Sequence, residues 1–254
     1  MRFPVANGTD AGGTRLSLAY RELYESLLRA VATTPDVEPD VLASFWPMVG
    51  HRYTGALMVI GRAVNGWIDQ VAVRDLADPA ACSAAAAAAR RTSEDSGGCP
   101  MRWVTNAWGR PVGQYSTARS AFWRFVRSVL VATDPASRDD PLWSSRLVWS
   151  NLAKLAPWAG GNPGGALLEV QRELGPGLLA AEIDELRPRR VLVLTGRWWA
   201  EPYVDALGLG VDWRPGLVEG VGMQGERGWV IAPHPQRKPR ELLSLVIDAY
   251  RALD

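Results

Sequence analysis

The chain has 254 residues, 47% of them hydrophobic and 22% charged, with a formal net charge of +1. That length suits one large domain with a substantial core, and a charge near zero rules out a chain that is basic throughout, so any nucleic-acid contact needs a local patch. Cys82 and Cys99 are the only cysteines, too few for a four-ligand metal cluster or a disulfide framework, so no metal and no cofactor are expected.

Residues 1–13 lack the charged-then-apolar order of a signal peptide, and no apolar run is long enough to span a membrane. A cytoplasmic, monomeric protein with no membrane partner is therefore expected. Residues 14–33 predict an amphipathic helix, with Leu16, Tyr20, Leu23, Leu27 and Val31 near one face. Pro35 and Pro39 mark a connection, and residues 1–50 read as an N-terminal helical extension. Ala56 to Ile60 is a short apolar run ending at Gly61 and reads as a buried strand. The alanine-rich stretch 74–91 predicts a helix, residues 92–118 a long loop, and residues 119–132 a helix with Phe122, Phe125, Val126, Val129 and Leu130 on one side.

Leu147 to Ser150 reads as a second strand ending at Asn151. Residues 166–186 predict a helix with a break at Gly175-Pro176-Gly177. Val191 to Thr195 is a third strand, closed by Gly196, and a short helix follows over 198–207. Trp229 to Ala232 is a fourth strand, and Pro239 opens a final helix on which Leu242, Leu243, Val246, Ile247 and Tyr250 recur at helical spacing. Continuous apolar strands alternating with helices predict a three-layer α/β/α sandwich around a central four-stranded, mostly parallel sheet, in a single domain spanning 1–254.

In a parallel sheet the strand ends share one edge, which is where open α/β folds place their ligands. The four ends here run into Gly61-Arg-Ala-Val-Asn-Gly-Trp-Ile-Asp69, Asn151-Leu-Ala-Lys-Leu-Ala-Pro157, Thr195-Gly-Arg-Trp-Trp199 and Pro233-His-Pro-Gln-Arg237. One crevice would then hold Asn65, Asp69, Asn151, Lys154, Arg197, His234 and Arg237. His234 is one of two histidines; it lies between prolines that fix the backbone, and Arg237, Lys238 and Arg240 follow it. His51 reads as structural, and Arg90-Arg91 and Arg187 to Arg190 as solvated surface.

These four clusters, in this order, resemble the uracil-DNA glycosylase superfamily over about residues 56–250. The counterparts of that family's motifs are Gly61-Arg-Ala-Val-Asn-Gly66, Ser150 to Pro157, Val191 to Gly196, and His234-Pro-Gln236. The resemblance implies the family's fold, a DNA partner, and hydrolysis of the bond between a flipped-out base and its sugar. It implies that His234 donates to the departing base, that Asn65 or Asp69 holds the attacking water or steadies the sugar cation, and that Asn151 reads the base edge. Tyr115, Phe122 or Trp123 would stack on the base, and Arg62, Lys154, Arg197, Arg237 and Lys238 would hold phosphates.

The chain departs from the family where it matters. Arg62 or Ala63 stands where an acid or amide is usual, and Gln236 replaces the serine of the His-Pro-Ser motif. Each candidate also has a plainer use: Asn65-Gly66 as a turn, Asp69 as a helix cap, Asn151 as a loop cap, Phe122 as core. Most of the 12 tryptophans fit a core. The altered first motif favours a modified base, such as one in phage DNA, over plain uracil, with base excision or anti-phage defence as the setting. A non-catalytic binder of nucleotides or damaged DNA and a hydrolase of free nucleosides or nucleotides are the alternatives.

Overall fold

The computed structural model describes residues 16–94, 98–110 and 115–253. The chain runs α1 (Leu18–Thr33), β1 (Val41–Ser44), β2 (Met48–Val49), β3 (Leu57–Gly61), β4 (Asp69–Ala72), α2 (Pro79–Glu94), α3 (Arg102–Asn106) and α4 (Ala121–Thr133). It continues through β5 (Leu147–Asn151), β6 (Leu155–Pro157), α5 (Gly165–Leu186), β7 (Arg190–Leu194), α6 (Arg197–Ala206), β8 (Val211–Trp213), β9 (Gly220–Gln224), β10 (Arg227–Ala232) and α7 (Glu241–Leu253).

The fold is α/β, but the main sheet has seven strands, ordered β2-β5-β3-β7-β10-β9-β8, where four were expected. The four expected strands are its parallel centre, β5-β3-β7-β10, while β2, β9 and β8 extend it with antiparallel pairs. A second sheet, β4-β1-β6, is antiparallel throughout. The added strands span two to five residues, and most are too short for a hydrophobic period to show. The β9–β10 hairpin turns at Gly225, whose φ of 60° suits the tight turn. Glycine-rich β9 does not read as a strand because glycine supplies no side chain to the pattern.

Side chains of the central strands alternate between two cores. Met58, Ile60, Val191, Val193, Trp229 and Ile231 join residues of α1, α2, α5 and α6. Leu57, Val59, Leu192, Leu194, Val230 and Ala232 join residues of α4 and α7. Both faces are therefore covered, which is why these strands read as unbroken apolar runs.

Three expectations on local structure change. Residues 1–50 are not simply a helical extension, since β1 and β2 follow α1 and each enters a sheet. Within α1 the buried face is Tyr20, Tyr24, Leu27, Leu28 and Val31, and Leu23 is 41% exposed. Stretch 92–118 is not one long loop: α2 runs to Glu94, α3 follows, and Thr117–Arg119 forms a 3-10 turn; residues 95–97 and 111–114 lie outside the described residues.

Helix α5 passes unbroken through Pro176. A Cβ on Gly175 would lie 2.6 Å from the Tyr203 hydroxyl oxygen. That hydroxyl donates to the backbone oxygens of Gln171 at 3.1 Å and Leu152 at 3.0 Å. The Gly-Pro pair therefore admits α6 against α5 instead of ending the helix. Among the described residues no helix is long and apolar enough to cross a membrane. No group of three His, Cys, Asp or Glu among them could hold a metal ion.

Candidate functional site

Parallel pairing puts the ends of β5, β3, β7 and β10 on one edge. Gly61 and Asn151 are register partners there, the last residues of β3 and β5. A Cβ on Gly61 would lie 2.4 Å from Asn151 Oδ1 and 3.9 Å from Phe122 Cε2. Glycine at this position is what lets the amide and the ring approach the strand end. Pairing continues past the strands, since Leu152 N donates to Gly61 O at 2.9 Å and Ala153 N to Arg62 O at 2.8 Å. Arg62 Nε donates to Thr195 O at 3.0 Å, which ties the loop after β3 to the end of β7.

His234 follows β10 between Pro233 and Pro235, both buried. Its Nδ1 accepts the Gln236 backbone N–H at 3.2 Å. A ring nitrogen that accepts carries no proton, so the neutral imidazole bears its proton on Nε2. Burial lowers the imidazole below its ordinary value, and the Arg62 charge pushes it the same way. His234 is thus a neutral donor at neutral pH. The Phe122 ring stacks against it, with centroids 6.0 Å apart and planes 19° from parallel. Ser120, the N-cap of α4, accepts from Trp123 N at 3.4 Å and so sets the helix turn that carries Phe122.

Asn151 is 1% exposed, and its Nδ2 has no hydrogen-bond partner among the described residues. A buried amide left unpaired is costly unless a ligand completes it. Beneath it lies a buried network. Lys154 Nζ donates to Asn151 O at 2.5 Å and to Ser150 Oγ at 2.8 Å, and pairs with Glu182 at 2.6 Å. Ser150 Oγ and the Tyr20 hydroxyl both donate to Glu182, at 2.6 and 2.8 Å. Burial lowers the Lys154 ammonium and Glu182 opposes that shift. Burial likewise raises the Tyr20 phenol, with Glu182 adding to it.

Several sequence-predicted residues stand elsewhere. Lys154 is 1% exposed and fully engaged, so the expected phosphate contact is corrected to an internal ion pair. Asp69 lies on β4, in the antiparallel sheet; its Oδ1 accepts from the Thr92 hydroxyl at 2.9 Å, and it caps no helix. Burial raises that carboxyl, against the Thr92 bond and the Arg91 charge. Asn65 is exposed, and its Oδ1 accepts from Gly161 N at 3.0 Å, with no bond to His234. It braces the Gly160-Gly161 loop after β6.

Trp123 is 2% exposed and packs on Trp103, Trp143 and Trp149, which takes its ring faces out of reach of a base. Tyr115 is 50% exposed and touches Trp103 instead of His234. Arg197 pairs with Glu201 at 2.5 Å and lies 5.0 Å over the Trp213 ring, so its cation is already engaged. Arg237 and Lys238 are exposed on the turn after His234, Arg237 with a φ of 58°. The structure therefore brings together Gly61, Arg62, Phe122, Asn151 and His234, with Arg237 and Lys238 next along the chain from the histidine.

Two contributors escaped sequence reasoning. Glu182 and Tyr20 hold the buried lysine from helices distant in sequence; the available hint was a lone Lys154 inside an apolar stretch. Glu219 accepts from Arg197 N at 2.5 Å at the start of α6, 3.4 Å from where a Gly196 Cβ would lie. Nothing in the chain around Glu219 marks it.

No family model and no curated protein matches the chain.

Proposed function

We propose that this protein is a DNA glycosylase of the uracil-DNA glycosylase type, which hydrolyses the N-glycosidic bond of a flipped-out, modified base. The observation that carries the reading is one cluster: a neutral His234 with its proton on Nε2, stacked on Phe122, beside an unpartnered buried amide on Asn151. In this reading the three-layer arrangement is that family's fold. Asn151 completes its amide on the base edge, and Phe122 covers a ring face. His234 donates to the base as negative charge gathers on it, in a site where a fixed donor is worth more than in water. Arg237 and Lys238 take flanking phosphates.

The test is purified protein against a panel of duplex and single-stranded DNAs carrying modified pyrimidines and purines. Released base is identified by mass, and abasic sites are scored after alkali. Release of one base class supports the reading, and intact strands throughout the panel count against it.

A second reading has a specific observation behind it. Asn65 is held by the Gly160-Gly161 loop and Asp69 sits in the other sheet, so neither expected water-holding group adjoins His234. That favours a binder of nucleotides or damaged DNA without turnover. Saturable binding with no product over many hours would select it.

A further inference from the structure

The loop that replaces the usual acid or amide carries a cation whose direction is set. Arg62 follows Gly61, which abuts Asn151 and Phe122. Its Nε is fixed on Thr195 O, and among the described residues no carboxylate pairs with its guanidinium. Arg62, the Nδ2 of Asn151 and the Nε2 of His234 then offer donors to one place. His234 stays neutral, so the guanidinium is the only formal charge of the three. A half-buried cation facing only donors calls for an anionic partner.

We infer that Arg62 is a leaving-group cation and that this pocket binds a nucleobase in its anionic form. The inference rests on the glycosylase reading of the same site and deepens it. The C1′–N bond breaks and both electrons stay with the base nitrogen. The base anion formed is paired with Arg62 and bonded by His234, and the sugar is left as an oxocarbenium ion. Water adds to C1′ and its proton passes to solvent; the base anion takes up a proton on release. Charge balances at one anion against one guanidinium. In this scheme the rate is carried by stabilising the departing group, which fits a first motif without an acid.

Free bases test this without DNA. Binding of 5-nitrouracil, whose ring N–H ionises near neutrality, is compared with uracil and with thymine, which stays neutral with similar bulk. Tryptophan fluorescence and calorimetry report affinity for the wild type, Arg62→Gln and Arg62→Lys. The wild type should prefer the nitro base by about tenfold to a hundredfold, the range of a charge-assisted hydrogen bond. Arg62→Gln should lose that preference and Arg62→Lys retain part of it. A merely structural Arg62 would weaken all three bases together and lower the melting temperature.

Equal affinities in the wild type, or a preference unchanged in Arg62→Gln, would overturn the inference. If no free base binds while a duplex is cleaved, the leaving-group cation fails and the glycosylase stands. If the nitro base is preferred and no DNA is cleaved, the cation stands and the chemistry moves to free nucleosides.

Discussion

Phe122 and His234 form an offset stack, 6.0 Å between centroids and 19° between planes, that joins the first turn of α4 to the end of β10. The imidazole is also fixed by Gln236 N, so its orientation does not depend on a ligand. His234→Ala should therefore lower base excision by about a hundredfold to a thousandfold, the loss of one prepositioned donor at ~3–4 kcal/mol. Single-turnover rates on the best substrate check the loss. Urea denaturation should show a stability change of about 1 kcal/mol or less, since the side chain is partly exposed.

The pH profile follows from the lowered imidazole. Protonated His234 would lose its Nδ1 acceptor and carry a second charge beside Arg62. Activity should hold from neutral pH to below the ordinary imidazole value and then fall. In Arg62→Gln the acidic limb should move up, because one of the two downward influences is gone. For stability, the unfolded chain binds more protons than the native one in this window. The contribution of His234 is thus present above the ordinary imidazole value and lost as pH falls towards the depressed one. Thermal melts across that interval, wild type against His234→Ala, measure it.

Gly61→Ala puts a methyl 2.4 Å from Asn151 Oδ1, so the amide must move. Excision should drop by at least about tenfold while binding to undamaged DNA is unchanged, because phosphate contacts lie elsewhere. Asn151→Ala removes an unpaired buried donor, so it should lose base selectivity at a stability change of about 1 kcal/mol or less. Competition between two bases, followed with melting curves, checks both effects.

Lys154→Met leaves Glu182 buried without its cation. Destabilisation by about 3–5 kcal/mol is expected from urea titration. The double variant with Glu182→Gln should recover part of it, since the buried charge is then gone from both sides.

Asp69→Asn separates the sequence expectation from the structure. The carboxylate lies in the second sheet, its pKa raised by burial. An ionised form that the fold disfavours is relieved by the amide, so stability at neutral pH should rise slightly, with excision within about twofold of wild type. A large loss of excision would return Asp69 to the chemistry.

The four parallel strands were legible because each is a short apolar run covered on both faces, which alternation does not obscure. The short strands β1, β2, β4, β6 and β8 were not, since two to four residues carry no period of their own and are held by partners remote in sequence. Within the candidate site, Asn151, His234 and Arg62 could be named from strand ends. What hid Lys154's true role was its partner: Glu182 meets it only through packing of α5 on the sheet. Asp69 was misplaced because the loop after β3 turns away into β4, and Asn65 because its oxygen is taken by a glycine nearly a hundred residues further on, |i−j| of 96.

The decisive measurement is the appearance of abasic sites in modified DNA with wild type and His234→Ala side by side, under single-turnover conditions and with matched folded protein. The wild type should convert one class of base, and the variant should be slower by about a hundredfold or more. Equal rates for the two proteins, or no conversion of any modified base by the wild type, would contradict the assignment of this pocket to glycosidic cleavage.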